Sequence, residues 1–284
     1  MSGTYTDGTA FDYSLCKTPF LYSETITDTA VLAPYVANTD YLFFDGTSFV
    51  NGASYREGST APGAILTVLS DSTLSDGEGQ ASTDTLPTKL AGTSVQITDS
   101  QGVAQSCGLF YVSPRQINLL VPQSCATGVA TVTINRDSGT NTSGKVTVET
   151  LAPGIFTMGA SGIGAILGLR VNAGGQRSDV SVFQYDQSKA QFVTSPIDLG
   201  AATDQVYLSL YATGIRGFNS SSDLSATIGG VTVPVLGAAA QSQYAGVDQV
   251  NIGPLPRSLA GKGAVDLVLR VQGKTSNTVT VNIR

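Results

Sequence analysis

The sequence predicts an all-β chain of two tandem β-sandwiches, and three observations carry that reading. The composition is poor in helix-building runs, apolar residues recur at every second position in short stretches, and the two halves of the chain repeat each other. Among 284 residues there are 32 glycines, no tryptophan, no histidine and 13% charged residues, against about 25% charge in an average globular chain. An apolar content of 41% is enough for folded cores. Ser, Thr, Gly and Val favour short strands joined by turns, whereas the runs of Ala, Leu, Glu and Lys that long helices need are missing. The length suits two domains, each large enough for a core of its own.

The alternation is clearest where a strand buries one face. In Val265-Asp-Leu-Val-Leu-Arg-Val271, Val265, Leu267, Leu269 and Val271 share one parity, while Asp266 and Arg270 fall on the other. That pattern predicts apolar side chains turned inward and charges turned to water. Asp99-Ser-Gln-Gly102, Asp137-Ser-Gly139 and Gly229-Gly230 read as turns between such runs.

The repeat fixes the number of sandwiches. In the first half, Gln116-Ile117-Asn118 leads to Pro122, Gly128, the alternating run 130–135 and Ser143-Gly-Lys-Val-Thr-Val148. In the second, Gln249-Val250-Asn251 leads to Pro256, Gly261, the run 265–271 and Ser276-Asn-Thr-Val-Thr-Val281. The separation of Asn118 from Asn251 equals that of Ser143 from Ser276, so the two halves stay in step from one end of the match to the other. Upstream, 65–72 matches 206–213 and 92–98 matches 224–231. Antiparallel strands at this spacing predict a sandwich in each half. The join falls near Leu151-Ala-Pro-Gly-Ile-Phe156, and 180–193 reads as an inserted hairpin with its turn at Asp186-Gln-Ser-Lys189. The expected organisation is an extended arm over 1–48, a first sandwich over 49–151 and a second over 152–284.

Several short stretches, in this order, resemble the uncharacterised C-terminal domain of large secreted acidobacterial proteins, the Solibacter type. They are Val50-Asn-Gly-Ala-Ser-Tyr55, Ala61-Pro-Gly-Ala-Ile65, Leu109-Phe-Tyr-Val-Ser-Pro114 with Gln116-Ile-Asn118, and Ala152-Pro-Gly-Ile-Phe156. Gly164-Ala-Ile-Leu167, Leu210-Tyr-Ala-Thr-Gly214 and Ser276-Asn-Thr-Val-Thr-Val281 complete the set, which spans about residues 49–284. The resemblance implies two immunoglobulin-like sandwiches in an extracellular, bacterial, cell-surface setting, and it implies no catalytic residue. Members usually follow a much larger N-terminal region, whereas the resembling stretch here follows only the short arm.

The residues for most chemistry are missing. Without histidine there is no Ser-His-Asp or Cys-His arrangement and the commonest metal ligand is absent. No Gly-x-Ser-x-Gly elbow, P-loop or complete EF-hand loop occurs. Gly159-Ala-Ser-Gly-Ile-Gly164 is glycine-rich but lacks the strand–turn–helix setting of a dinucleotide site, so it reads as a turn. Asp71, Asp76 and Glu78, and Asp198 with Asp204, offer carboxylates at spacings that fit no calcium loop. Lys145, Lys262 and Lys274 read as exposed lysines. The chain is therefore expected to be no enzyme and to need no cofactor or metal. A net charge of −6 without a basic stripe gives nucleic acid nothing to bind. No apolar run approaches the ~20 residues of a membrane span. The opening residues lack a signal-peptide pattern, so secretion is expected of a form processed before this numbering begins.

Cys107 and Cys125 flank one strand–turn–strand stretch, and their positions at its outer ends predict a disulfide, with two reduced thiols as the alternative. Cys16 is left over, as a buried thiol or an intermolecular bridge.

The arm carries strand alternation with an aromatic face: Tyr5, Thr9, Phe11, Tyr13 and Leu15 share one parity. A segment this short cannot bury these side chains alone. It either covers the first sandwich of its own chain or adds a strand to a sheet edge of another copy. The second course makes the protein a self-associating structural subunit, a filament or surface-layer component secured by strand complementation. The alternative is a secreted adhesion module for a surface glycan or protein, using Tyr211, Arg216, Phe218 and Tyr244.

Overall fold

A computed structural model describes residues 2–4, 10–12, 46–81 and 85–284. Two short strands, β1 (Ser2–Thr4) and β2 (Ala10–Asp12), pair antiparallel with Gly3 opposite Phe11. Next come β3 (Thr47–Asn51), β4 (Ser59–Thr60), β5 (Ile65–Ser70), β6 (Gly79–Gln80), β7 (Lys89–Leu90) and β8 (Thr93–Thr98). They are followed by β9 (Ala104–Ser106), β10 (Gly108–Val112), β11 (Gln116–Leu120), β12 (Gly128–Arg136) and β13 (Asn141–Val148). These make two sheets, ordered β3-β5-β11-β10-β6 and β4-β13-β12-β8-β7, with β9 also on β8. Leu66, Val68, Ile117 and Leu119 of the first meet Val95, Ile97, Val132 and Ile134 of the second in one buried cluster. The sheets therefore face each other across a common core.

The rest of the chain repeats the plan. Its strands are β14 (Gly154–Ile155), β15 (Ile166–Val171), β16 (Arg177–Val180), β17 (Phe183–Asp186), β18 (Gln191–Thr194), β19 (Pro196–Ile197) and β20 (Gln205–Thr213). After them come β21 (Leu224–Ile228), β22 (Val231–Val233), β23 (Val235–Ala240), β24 (Asp248–Ile252), β25 (Gly263–Val271), β26 (Lys274–Thr275) and β27 (Val279–Ile283). The sheets run β16-β15-β20-β24-β23 and β19-β27-β25-β21-β22, with β14 also on β20, and among the described strands β17 pairs with β18 alone. Leu208, Leu210 and Val250 share a second core with Ala226, Leu267, Leu269 and Val281. In both halves the last strand takes a short parallel partner, β4 on β13 and β19 on β27.

The fold is all-β, and its strands with one buried face form where the alternation puts them. Along β25, Leu267, Leu269 and Val271 are buried and Asp266 and Arg270 turn outward. Gly229 and Gly230, at φ +53° and +78°, join β21 to β22 in a two-residue turn. A type I′ turn needs positive φ at both central positions, which glycine takes without strain. The hairpin of β17 and β18 turns where Asp186 Oδ1 accepts from the Ser188 and Lys189 backbone N–H groups.

One departure from alternation has a physical cause. All six residues of β5 are buried. Leu66 and Val68 face the first core, while Ile65 on the opposite parity joins Ala53, Phe156, Met158, Ala165 and Val247 in a cluster drawn from both halves. The Ile65 N–H donates to Thr213 Oγ1 at 2.9 Å, and Asn51 Nδ2 donates to the Ala152 carbonyl at 2.8 Å. Arg56 donates to the carbonyls of Thr275 and Ser276, and Lys274 pairs with Glu149. The two sheet pairs thus pack against each other through apolar contacts fringed by hydrogen bonds. Among the described residues no helix is long and apolar enough to cross a membrane.

Candidate functional site

The most distinctive surface feature is an edge strand with a hollow beside it. β23 pairs with β24 and stands last in its sheet among the described strands. Its sequence, Val-Leu-Gly-Ala-Ala-Ala, carries no charge. A bulge falls between Val235 and Gly237, where Gly237 takes φ +157°. The Gln241 N–H donates to the Val247 carbonyl, which sets the phase of the ladder. Ala239 accordingly faces β24, and Ala238 and Ala240 turn their N–H and C=O groups away from it.

Beside Ala238–Ala240 lies a hollow of about 260 Å³, walled by Ile215, Arg216, Phe218 and Asp248. One ion pair holds that wall. Asp248, at the start of β24, is 1% exposed. Its Oδ1 accepts from Arg216 Nε at 2.5 Å, its Oδ2 accepts from the Ile215 N–H, and Arg216 also donates to the Val247 carbonyl. Burial pushes the Asp248 carboxyl up, and the Arg216 guanidinium with the Ile215 and Gly214 N–H groups draws it part of the way back. The hollow is smaller than the usual range for small-molecule pockets, and its polar groups are already bonded to one another.

The residues singled out in the sequence are scattered. Tyr5, Thr9, Tyr13, Leu15 and Cys16 lie outside the described residues, and Phe11 sits in β2 opposite Gly3. Of the proposed adhesion residues, Arg216 and Phe218 meet at the hollow, while Tyr211 and Tyr244 pack against the cluster between the halves. Cys107 and Cys125 are free thiols buried in the first core. Burial, with the neighbouring Cys125 as a lesser cause, pushes the Cys107 thiol up to about 12.

The acidic residues weighed as calcium ligands have other partners. Asp76 pairs with Arg136 at 2.8 Å, Glu78 accepts from the Tyr111 hydroxyl, and Asp204 sits 3.9 Å from Arg170. Lys274 is engaged by Glu149, and Lys262 donates to the Gly229 carbonyl. Gly159–Ser161 forms a single 3-10 turn closed by Gly162 at φ +72°.

Sequence reasoning missed β23 as an edge and the Arg216–Asp248 pair. The only available signal was the uncharged Val-Leu-Gly-Ala-Ala-Ala run, which has too little alternation to read as a strand. The hairpin's aromatic set was also missed: Phe192 packs edge-on to both Phe183 and Tyr185. No protein-family model matches the chain, and no curated protein is significantly similar to it.

Proposed function

We propose that the chain is an extracellular structural protein, a filament or surface-layer subunit whose copies are joined by addition of the N-terminal strand to a neighbour's sheet. One observation carries the reading: β1 and β2 pair with each other and, among the described residues, with no strand of the body. A strand pair outside the body's sheets can serve another copy by strand addition. The low charge and the absence of histidine support a structural over a catalytic role.

The same reading takes the two sheet pairs as immunoglobulin-like domains, 49–151 and 152–284, akin to the acidobacterial secreted domain. In an oxidising compartment Cys107 and Cys125 would form a disulfide by exchange, with the attacked disulfide taking up the two electrons. Raised thiol pKa values slow that exchange once the core has closed, so the bond would form during folding. Thiol titration of the native secreted protein in denaturant then finds one reactive thiol per chain before reduction and three after it. Three before reduction would remove the disulfide.

Sedimentation over a range of protein concentrations tests the assembly itself. The full chain forms oligomers that grow with concentration. Deletion of residues 1–15 leaves a monomer with the same β-sheet circular dichroism and melting temperature. A full chain that stays monomeric, or a deletion that assembles equally well, would reject self-assembly and favour the adhesion reading.

A further inference from the structure

Two corners of the first sandwich carry its cysteines. Cys107 lies between β9 and β10, where the chain passes from one sheet to the other, and Cys125 lies between β11 and β12, where it passes back. Both thiols are buried in the core that the two sheets share. The Cys107 N–H donates to the Val95 carbonyl at 2.9 Å, which extends the pairing of β9 with β8 by one residue. Cys107 is thus held by β8 itself.

Cys125 lies in no strand. Its loop, residues 121–127, is fastened by the turn that follows β8. Asp99 Oδ2 accepts from the Ala126 N–H at 3.1 Å, one residue beyond the cysteine, while Asp99 Oδ1 accepts from the Gln101 and Val103 N–H groups at 3.0 Å each. The Ser100 hydroxyl donates to the Thr127 carbonyl at 2.7 Å. One buried carboxylate therefore spans two segments, its own turn through one oxygen and the cysteine loop through the other. The Ala126 N–H above all, with those of Val103 and Gln101, holds the Asp99 carboxyl below the usual carboxylate range in spite of its burial.

The second sandwich closes the same corner without a carboxylate. In the strand orders β21 and β24 stand where β8 and β11 do. The turn after β21 is Gly229-Gly230, and Lys262, in the loop after β24, donates to the Gly229 carbonyl. That corner holds no cysteine, since the chain's three cysteines all precede residue 126. The buried carboxylate accompanies the thiol.

We propose that Asp99 is the positioning residue for the Cys107–Cys125 disulfide: it fixes the loop of Cys125 to the end of β8, the strand that also holds Cys107. The inference rests on the disulfide reading above and names what brings the pair together. With glutathione disulfide as the oxidant, the thiolate of Cys125, the less buried of the two, attacks one sulfur and releases a glutathione thiolate. The Cys107 thiolate then attacks the Cys125 sulfur and releases the second. Two thiols have given up two protons and two electrons, and one glutathione disulfide has become two glutathione thiols. The second step is intramolecular, so its equilibrium depends on how closely the loop is held in the geometry a disulfide requires. A loop tied down beside its cysteine has lost that freedom in advance.

Refolding the full chain from denaturant in mixtures of reduced and oxidised glutathione tests the assignment. Acid quenching, alkylation and peptide mass spectrometry read the fraction of Cys107 joined to Cys125. Asp99→Asn keeps an oxygen for the Gln101 and Val103 N–H groups but presents an amide N–H to Ala126, so it keeps the turn and cuts the tie. The wild-type pair is expected to close, and Asp99→Asn to lower its equilibrium constant about tenfold, as the loss of one hydrogen bond to a charged group does. A merely structural Asp99 would lower the urea midpoints of reduced and oxidised protein alike and leave the glutathione equilibrium unchanged, which would overturn the inference and leave the disulfide standing. Wild-type protein whose two thiols stay free at every glutathione ratio would overturn both. Should Asp99→Asn not fold, Ser100→Ala cuts the neighbouring tie to the same loop: a fall of about threefold supports the assignment, and an unchanged constant overturns it.

Discussion

At the scale of single residues, the Arg216–Asp248 pair matters most because it is buried and walls the hollow beside β23. Removing one partner of a buried pair strands the other charge. Arg216→Met is expected to cost about 3 kcal/mol near neutral pH, read from urea unfolding. The pH dependence has a definite sign. A carboxyl whose native pKa is raised binds its proton more tightly folded than unfolded. Its contribution therefore favours the fold below the unfolded value near ~3.9 and is lost as pH rises through the raised native value. Arg216→Met removes the charge that draws Asp248 down, so the variant should lose stability relative to wild type as pH rises through the carboxylate range. A difference that is flat with pH would mean that Asp248 does not carry the effect. None of this was legible in the sequence. Arg216 stood out only as a polar residue near aromatics, and its partner lies 32 positions away on another strand.

At the scale of elements, the strands most legible in the sequence were those with one buried face. β8, β12, β20 and β25 alternate in sequence and in burial. β5 did not fit the rule because both its faces are covered, which depends on the second half and cannot be read from so short a window. β6 escaped for the opposite reason: Gly79–Gln80 has no apolar residue, and its role is to pair with the backbone. Close packing in the first sandwich gives a test of this level. Gly144 in β13 lies directly beneath the Phe49 ring, so a methyl group there would collide with it. Gly144→Ala should destabilise by about 1–3 kcal/mol, visible as a lower urea midpoint. A neutral result would show that β3 and β13 have slack between them.

At the scale of the whole molecule, the repeat was readable and its consequence was not. Equal offsets at Asn118–Asn251 and Ser143–Ser276 revealed two similar halves, but an equal pattern hides that β6 pairs with β10 while no described strand takes the matching place on β23. That difference lies in two connections, residues 71–92 and 214–223, where alternation gives no guidance. The packing between halves was equally silent: Gly246, at φ +75°, leaves room for Ile65, and an added Cβ would stand 2.6 Å from the Ile65 Cγ1. The N-terminal arm was visible as an aromatic alternation, and its partner was left open between cis and trans. Electron cryomicroscopy of the assembled protein addresses that question most directly. The predicted map is a filament in which the N-terminal strand of each subunit adds to a sheet of the next. A map with no strand shared between subunits, or with each arm folded onto its own body, would contradict strand donation between copies.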